Sequence, residues 1–271
     1  MRVAVVGHVE WIRFCRVDRM PSAGEIAHSV DDWEMAGGGG AVAAIQLALL
    51  AGEAALYTAL GDDELGRRSR QELESRGVRV HAQTVRASQR WAFTHVDDML
   101  ERTITTVGRK LRPRGNDDSL PWHELIDADA VFFVAGDEDA LRRARRARVL
   151  VATSRELDVL RRGGVPLDAL VGSGSDEAER YRPGELEPAP ALVVSTGGAL
   201  GGWSQPGGPY TAAPLPGDVE DTYGAGDCFG AGLTFALGAG KAPADAVAFA
   251  ARCGAAAITG RGVAPQAVPL D

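Results

Sequence analysis

The chain has 271 residues, 45% of them apolar and 24% charged, and its formal net charge is −8. That length supports one large domain with a full-sized core, and the acidic balance argues against broad binding to nucleic acid. Three widely spaced cysteines (Cys15, Cys228, Cys253) without a CxxC pair argue against a disulfide framework or a cysteine zinc site and fit a reducing cytoplasm.

The first apolar run, within Met1–His8, is too short for a signal peptide and predicts a strand at Val3–Val6. Glu10–Val30 mixes polar and β-prone residues and reads as strands outside the main sheet. Gly37–Gly40 lead into a buried helix over Ala41–Ala51, which Gln46 interrupts and which is too short to span a bilayer, so a soluble protein is expected. A strand at Ala54–Leu60 and a helix at Glu64–Arg76 follow. Gln83–Arg112 then forms a second excursion, with antiparallel strands around Trp91–Val96 and Thr103–Val107. Strands are next predicted at Ala130–Val134, Val149–Thr153, Ala169–Gly172 and Ala191–Ser195. Helices fall between them at Asp137–Arg146, Ser154–Arg162 and Ser175–Tyr181. The basic run of Arg142, Arg143, Arg145, Arg146 and Arg148 wraps a short helix and reads as a solvated face. The last third turns helical, at Ala225–Leu237 and Ala244–Thr259. Short apolar strands alternating with helices predict a layered α/β core with a mostly parallel sheet. No internal repeat or low-complexity tract divides the chain, so residues 1–271 are expected to form one domain, with two excursions near 10–30 and 83–112.

Residues 221–232 read Asp-Thr-Tyr-Gly-Ala-Gly-Asp-Cys-Phe-Gly-Ala-Gly. Gly224, Ala225 and Gly226 are small enough for their N–H groups to approach a multiply charged oxyanion, and the helix that follows adds partial positive charge at its start. Asp227 sits where a carboxylate can take a proton from an attacking hydroxyl. An Asp at a helix start often serves only as a cap, but Asp221 and Asp227 together bracket this turn. The segment thus offers an anion hole and a general base.

Asp-Thr-x-Gly-Ala-Gly-Asp resembles the C-terminal signature of the ribokinase-like (PfkB) carbohydrate kinases. Gly37-Gly38-Gly39-Gly40-Ala41-Val42-Ala43-Ala44 is similar to that family's N-terminal Gly-Gly-x-Gly-x-Asn-x-Ala. Leu60–Gly66 and Gln71–Val78 match at the usual distances, so the resemblance runs from Val3 to about Val268. It implies a three-layer α/β/α core and a small β-sheet lid, formed by the two excursions and often making a homodimer contact. It also implies ATP-dependent phosphorylation of a hydroxymethyl group on a small sugar, with Asp227 as base and Gly38, Gly39 and Glu10 at the acceptor. Ser195–Gly201 resembles the family's nucleotide loop, giving Thr196, Gly198 and Gly201 to ATP together with Asp221 and Thr222. Gly174–Glu179 looks like a worn Asn-x-x-Glu, in which Glu177 would help hold Mg²⁺ through water. The small residues of Gly254–Gly262 suit an adenine slot, and relatives place a monovalent-cation (K⁺) loop nearby. Cys228 and Cys253 read as small core residues.

Two departures bear on the substrate. The family's Asn of the glycine motif falls at Val42 or Ala43, and the first loop, usually Gly-x-x-Asn-x-Asp, is Gly7-His8-Val9-Glu10-Trp11-Ile12. The usual acceptor anchors are therefore replaced, and His8, Glu10, Trp11 and Arg13 are candidates for a different set. Basic residues in and around the lid (Arg86, Arg90, Arg102, Arg109, Lys110) leave room for an acidic or phosphorylated sugar, and equally suit solvated strand faces. A nucleoside kinase, with Trp11 or Trp91 stacking on the base, and a catalytically idle binding protein are the alternatives. Neither nucleic acid nor a membrane is expected as a partner.

Overall fold

The computed structural model describes residues 1–270; Asp271, the last residue of the expected domain, lies outside them. The strands are β1 (Val3–Val6), β2 (Glu10–Arg16), β3 (Asp31–Gly37), β4 (Ala54–Gly61), β5 (Val78–Val85), β6 (Trp91–Val96), β7 (Arg102–Val107), β8 (Ala130–Phe133), β9 (Val149–Thr153), β10 (Ala169–Ser173), β11 (Val193–Thr196), β12 (Gly202–Gln205) and β13 (Gly208–Tyr210). The helices are α1 (Gly39–Ala51), α2 (Glu64–Ser75), α3 (Glu138–Ala144), α4 (Leu157–Gly163), α5 (Ala225–Gly238) and α6 (Pro243–Ala257).

Among the described residues, nine strands form the main sheet in the order β13-β12-β11-β10-β9-β8-β1-β4-β5, parallel except at the β11–β12 and β12–β13 pairings. Alternation along the strands feeds two cores. Val3, Val5, Phe132 and Val151 pack toward α1, α5 and α6, while Ala4, Val6, Phe133 and Leu150 pack toward α3 and α4. Because both faces are covered, these strands read as continuous apolar runs rather than alternating ones. The result is a three-layer α/β/α core with a separate four-stranded sheet, β3-β2-β6-β7, beside it.

Several expectations change in detail. Ser175–Tyr181 is not an α-helix; only a 3₁₀ turn forms, at Glu177–Glu179, in a short segment with Pro183 just beyond. Gln83–Val85, expected outside the main sheet, complete β5 at its edge, and Asp31–Gly37 supply a strand of the small sheet beyond the expected residue 30. Within that sheet β2 and β6 run parallel, because the chain crosses the main sheet between them; the other pairings are antiparallel. The β12–β13 hairpin adds two antiparallel strands at the other edge.

Strand order reverses at β1: the chain moves from β1 to β4 and β5 on one side, then returns to place β8 on the other. Open α/β sheets put their ligand crevice at the carboxyl ends of strands flanking such a switch point. The loop after β1, the end of β8 and the starts of α1 and α5 meet there. No described helix is long and apolar enough to cross a membrane.

Candidate active site

Asp227 occupies the first turn of α5, and Gly224 before it has φ +80°, a left-handed conformation that favours glycine. A Cβ at Gly224 would also lie 2.2 Å from the Gly262 carbonyl oxygen. This close approach of two glycine segments sets the helix start. The first N–H groups of a helix have no intrahelical partners, and space is open above Gly226, where an added Cβ would meet nothing within 4 Å. The turn thus presents free donors and a helix N-terminus to open space, the arrangement that favours an anion.

On the other side of Asp227 lie Gly38 and Gly39 at the start of α1. A Cβ on Gly39 would be 2.7 Å from Asp227 Oδ1, so the α1 backbone abuts the carboxylate. Gly38 lies against Glu10 and His8, and its N–H donates to the Tyr223 hydroxyl at 2.7 Å. Tyr223, buried edge-on against Phe14, therefore ties the glycine motif to the Asp227 motif. Burial pushes the Asp227 carboxyl up to about 6, with Arg155 opposing the rise and Glu179 adding to it. Burial also holds His8 well below its ordinary value, helped by the charges of Lys110, Arg90, Arg112 and Arg155, so its imidazole is neutral.

Glu10 is buried, with Oε1 2.8 Å from Arg90 Nε and 3.6 Å from His8 Nε2; burial raises its carboxyl while Arg90 and Lys110 oppose. Ile12 and Val42, at the positions of the usual anchors, are buried and apolar. Trp11 is buried beneath the Arg68 guanidinium, 4.3 Å from its ring, and Arg13 lies 5.3 Å over Trp91. Both tryptophans already carry a stacked cation.

Thr196 ends β11 and its hydroxyl donates to the Gly172 carbonyl; Gly198 and Gly201, both at positive φ, shape the exposed turn that follows. This turn and α5's start share the carboxyl edge of the sheet. Thr222 donates to the Leu100 carbonyl at the tip of the β6–β7 hairpin, and Arg16 to the Glu220 carbonyl. The small sheet is thereby docked onto the segment before α5. Asp221 is fully buried; Oδ1 accepts from Tyr223 N–H, while Oδ2 has no partner, and burial raises its carboxyl.

Glu177 is turned to solvent between Arg180, 2.9 Å away, and Arg182. The acidic group of this turn that reaches the site is Glu179, buried, paired with Arg155 and accepting from Ser173 N–H at 2.9 Å. No cluster of three metal-ligating side chains occurs among the described residues. Mg²⁺ needs only one or two carboxylates beside phosphate oxygens and water, so this donor set suits a nucleotide-borne ion rather than an all-protein cage. Arg155, Glu156, Glu179, Arg112 and Tyr223 were not singled out in sequence. Tyr223 and Glu179 lie inside motifs without carrying their signatures, while Arg155 and Glu156 follow β9 and Arg112 lies on the strap after β7.

A family model described as pfkB family carbohydrate kinase matches residues 1–148 and 137–269. An ATP-dependent ribose-1-phosphate kinase of Halopiger xanaduensis is 28% identical over 264 residues, covering 86% of this chain and 83% of that protein. Among solved structures, a putative ribokinase from Agrobacterium tumefaciens superposes with a TM-score of 0.81 at 21% identity, covering 99% of this chain and 94% of that one. Arabidopsis thaliana ribokinase, solved with ribose and ATP, gives 0.73 at 19% identity, covering 97% and 94%.

Proposed function

The chain belongs to the pfkB family of carbohydrate kinases, and from that premise we propose that it moves the γ-phosphoryl group of ATP onto the hydroxymethyl group of a small sugar, with Asp227 as general base. The observation that carries this reading is the Asp227 carboxylate against Gly39 at the start of a helix open above Gly226. The acceptor oxygen forms a bond to the γ-phosphorus as the bond to the β,γ-bridging oxygen breaks. The hydroxyl proton passes to Asp227, and ADP leaves. The N–H groups of Ala225, Gly226 and Asp227, after the Gly224 turn, stabilise charge spreading over the transferred group; such chemistry is mostly positioning and electrostatics. Thr196, Gly198 and Gly201 line the nucleotide side, with Asp221 and Thr222 behind the phosphates. Gly38, Gly39 and Glu10 line the acceptor side.

Mg²⁺ would supply neutralisation of phosphate charge, and Glu179, or Glu177 at the rim, would be the carboxylate that helps hold it. The orphaned, buried Asp221 Oδ2 fits a monovalent cation such as K⁺. The chain works as one domain, in the cytoplasm given its free cysteines. The small sheet acts as the lid. Its edge strand β7, exposed along its whole length, supports a homodimer through the lid; a chain that sediments as a monomer would remove that contact. A nucleoside acceptor is less well supported, because the rings of Trp11 and Trp91 already carry Arg68 and Arg13.

The test is ADP release with Mg-ATP and K⁺ across sugars, sugar acids, nucleosides and sugar monophosphates with a free hydroxymethyl group. Ribose 1-phosphate, in the name of the archaeal relative, belongs in that panel. Silence across the panel with ATP bound would leave a binding role. The raised Asp227 value adds a pH signature. The base is ionised only above its pKa, so kcat/KM should fall on the acid side with a midpoint near pH 6. It should be measured on a neutral acceptor, since phosphate monoesters titrate in the same range. A flat profile well below that midpoint would remove Asp227 as the titrating base.

A further inference from the structure

The acceptor side of the cleft is rich in hydrogen-bond donors and poor in free acceptors. Arg90 precedes β6, Lys110 and Arg112 lie on the strap leaving β7, and Arg155 is the middle residue of the 3₁₀ turn after β9. Three carboxylates hold them: Glu10 pairs with Arg90, Glu156 with both Lys110 (3.7 Å) and Arg112, and Glu179 with Arg155. The side chains of Glu10, Glu156 and Glu179 are only 2–9% exposed, whereas those of the four cations are 19–58% exposed. The acids therefore lie beneath and the cations face outward. Asp176 meets Arg155 from the exposed side at 3.2 Å.

Each guanidinium carries more N–H groups than one carboxylate accepts, and neither Arg nor Lys can accept in return. Ile12 and Val42 offer no hydrogen bond. A neutral polyol, whose hydroxyls need both donors and acceptors, meets a mismatched wall. A group with several acceptor oxygens and negative charge matches it. A phosphate monoester, with three terminal oxygens and nearly two charges, uses more of these donors than a carboxylate. Burial pushes the Lys110 ammonium below its ordinary range despite Glu156, and beyond burial the charges of all four cations reach His8, which places them around one side of the cleft.

We propose that the acceptor is a sugar monophosphate whose phosphate is held by Arg90, Lys110 and Arg112, with Arg155 toward the transfer point, while its free hydroxymethyl group meets Asp227. This rests on the kinase reading above. It makes Arg90, Lys110 and Arg112 the specificity-determining residues.

The test compares a sugar monophosphate, its parent sugar and the matching aldonic acid as acceptors for the wild-type chain, Arg112→Ala and Arg112→Lys. The wild type should prefer the monophosphate in kcat/KM. Arg112→Ala should cut that preference by about tenfold or more, through KM for the monophosphate. KM for ATP should hold, and Arg112→Lys should recover part of the loss. A wild-type preference for the parent sugar or the acid overturns the proposal. So does a parallel rise in KM for ATP, which would give the cluster to the nucleotide. Thermal melting checks folding, and Lys110→Gln supplies the same readout if Arg112→Ala is unstable. Calorimetry of monophosphate binding without ATP, on wild type and Arg112→Ala, separates the two readings. Arg112-dependent binding with no turnover of any acceptor upholds the subsite and sinks the kinase. Turnover of a neutral sugar with no monophosphate binding does the reverse.

Discussion

Asp227→Asn lowers turnover by about two to four orders of magnitude, the range a positioned general base supplies, while KM for ATP changes little. The amide keeps the shape of the carboxylate beside Gly39 and leaves the helix start and its N–H groups in place. What it loses is the ability to take the hydroxyl proton. The same substitution should stabilise the fold. Burial raises the Asp227 pKa from 3.8 in the ordinary carboxylate to about 6 in the folded chain. Folding therefore disfavours the ionised form, and the fold is penalised at pH values above that midpoint. The penalty fades as pH falls and is absent below the ordinary value, where the group is protonated in both states. Removing the charge should add on the order of 1–3 kcal/mol at pH 8 and nearly nothing at pH 4. Thermal melting at the two pH values reads this difference directly, as a Tm rise of a few degrees at the higher one. A variant that is more stable and nearly inactive is the mark of a carboxylate kept for chemistry at the expense of stability. Unchanged turnover would take Asp227 out of the mechanism.

The main sheet was legible because its central strands are buried on both faces. Val3–Val6 and Val149–Thr153 are unbroken apolar runs, and both occur at the predicted bounds. The parts that were not legible have their structure decided by distant partners. β3, Asp-Asp-Trp-Glu-Met-Ala-Gly, is half polar and becomes a strand because β2 pairs with it and α2 covers it. The β12–β13 hairpin is built largely of Gly, Pro, Ser and Gln, residues with weak strand preference, and is held by pairing with β11. In the site, the turn at Gly224–Asp227 stands out locally, since its glycines and its acid are consecutive. Arg155, Glu156, Glu179 and Arg112 form no local pattern and meet only where the strap after β7 crosses the ends of the parallel strands β9 and β10. Glu177 and Glu179 differ by two positions in one turn. Which of them faces inward depends on that turn being 3₁₀ rather than α-helical, a distinction that propensity does not resolve.

Gly39→Ala should reduce turnover by about tenfold or more without unfolding the chain. A Cβ at this position falls 2.7 Å from Asp227 Oδ1 and 2.8 Å from Val134 Cγ1, both inside van der Waals contact. Neither wall can retreat easily. Val134 is buried at the end of β8, where its N–H donates to the Val6 carbonyl, and Asp227 is fixed to the first turn of α5. The side chain with rotational freedom is the carboxylate, so the methyl group should turn Asp227 away from the acceptor hydroxyl. Overpacking of this kind costs about 1–3 kcal/mol of stability, small enough for a chain of this size to stay folded in the assay. The double variant identifies the route. If the methyl group acts by displacing the base, adding Gly39→Ala to Asp227→Asn costs little further turnover, because the displaced group no longer takes the proton. If the two losses multiply, Gly39 acts elsewhere, through α1 and the acceptor pocket. The coupling between the two substitutions then measures how much of the site's geometry depends on one residue having no side chain.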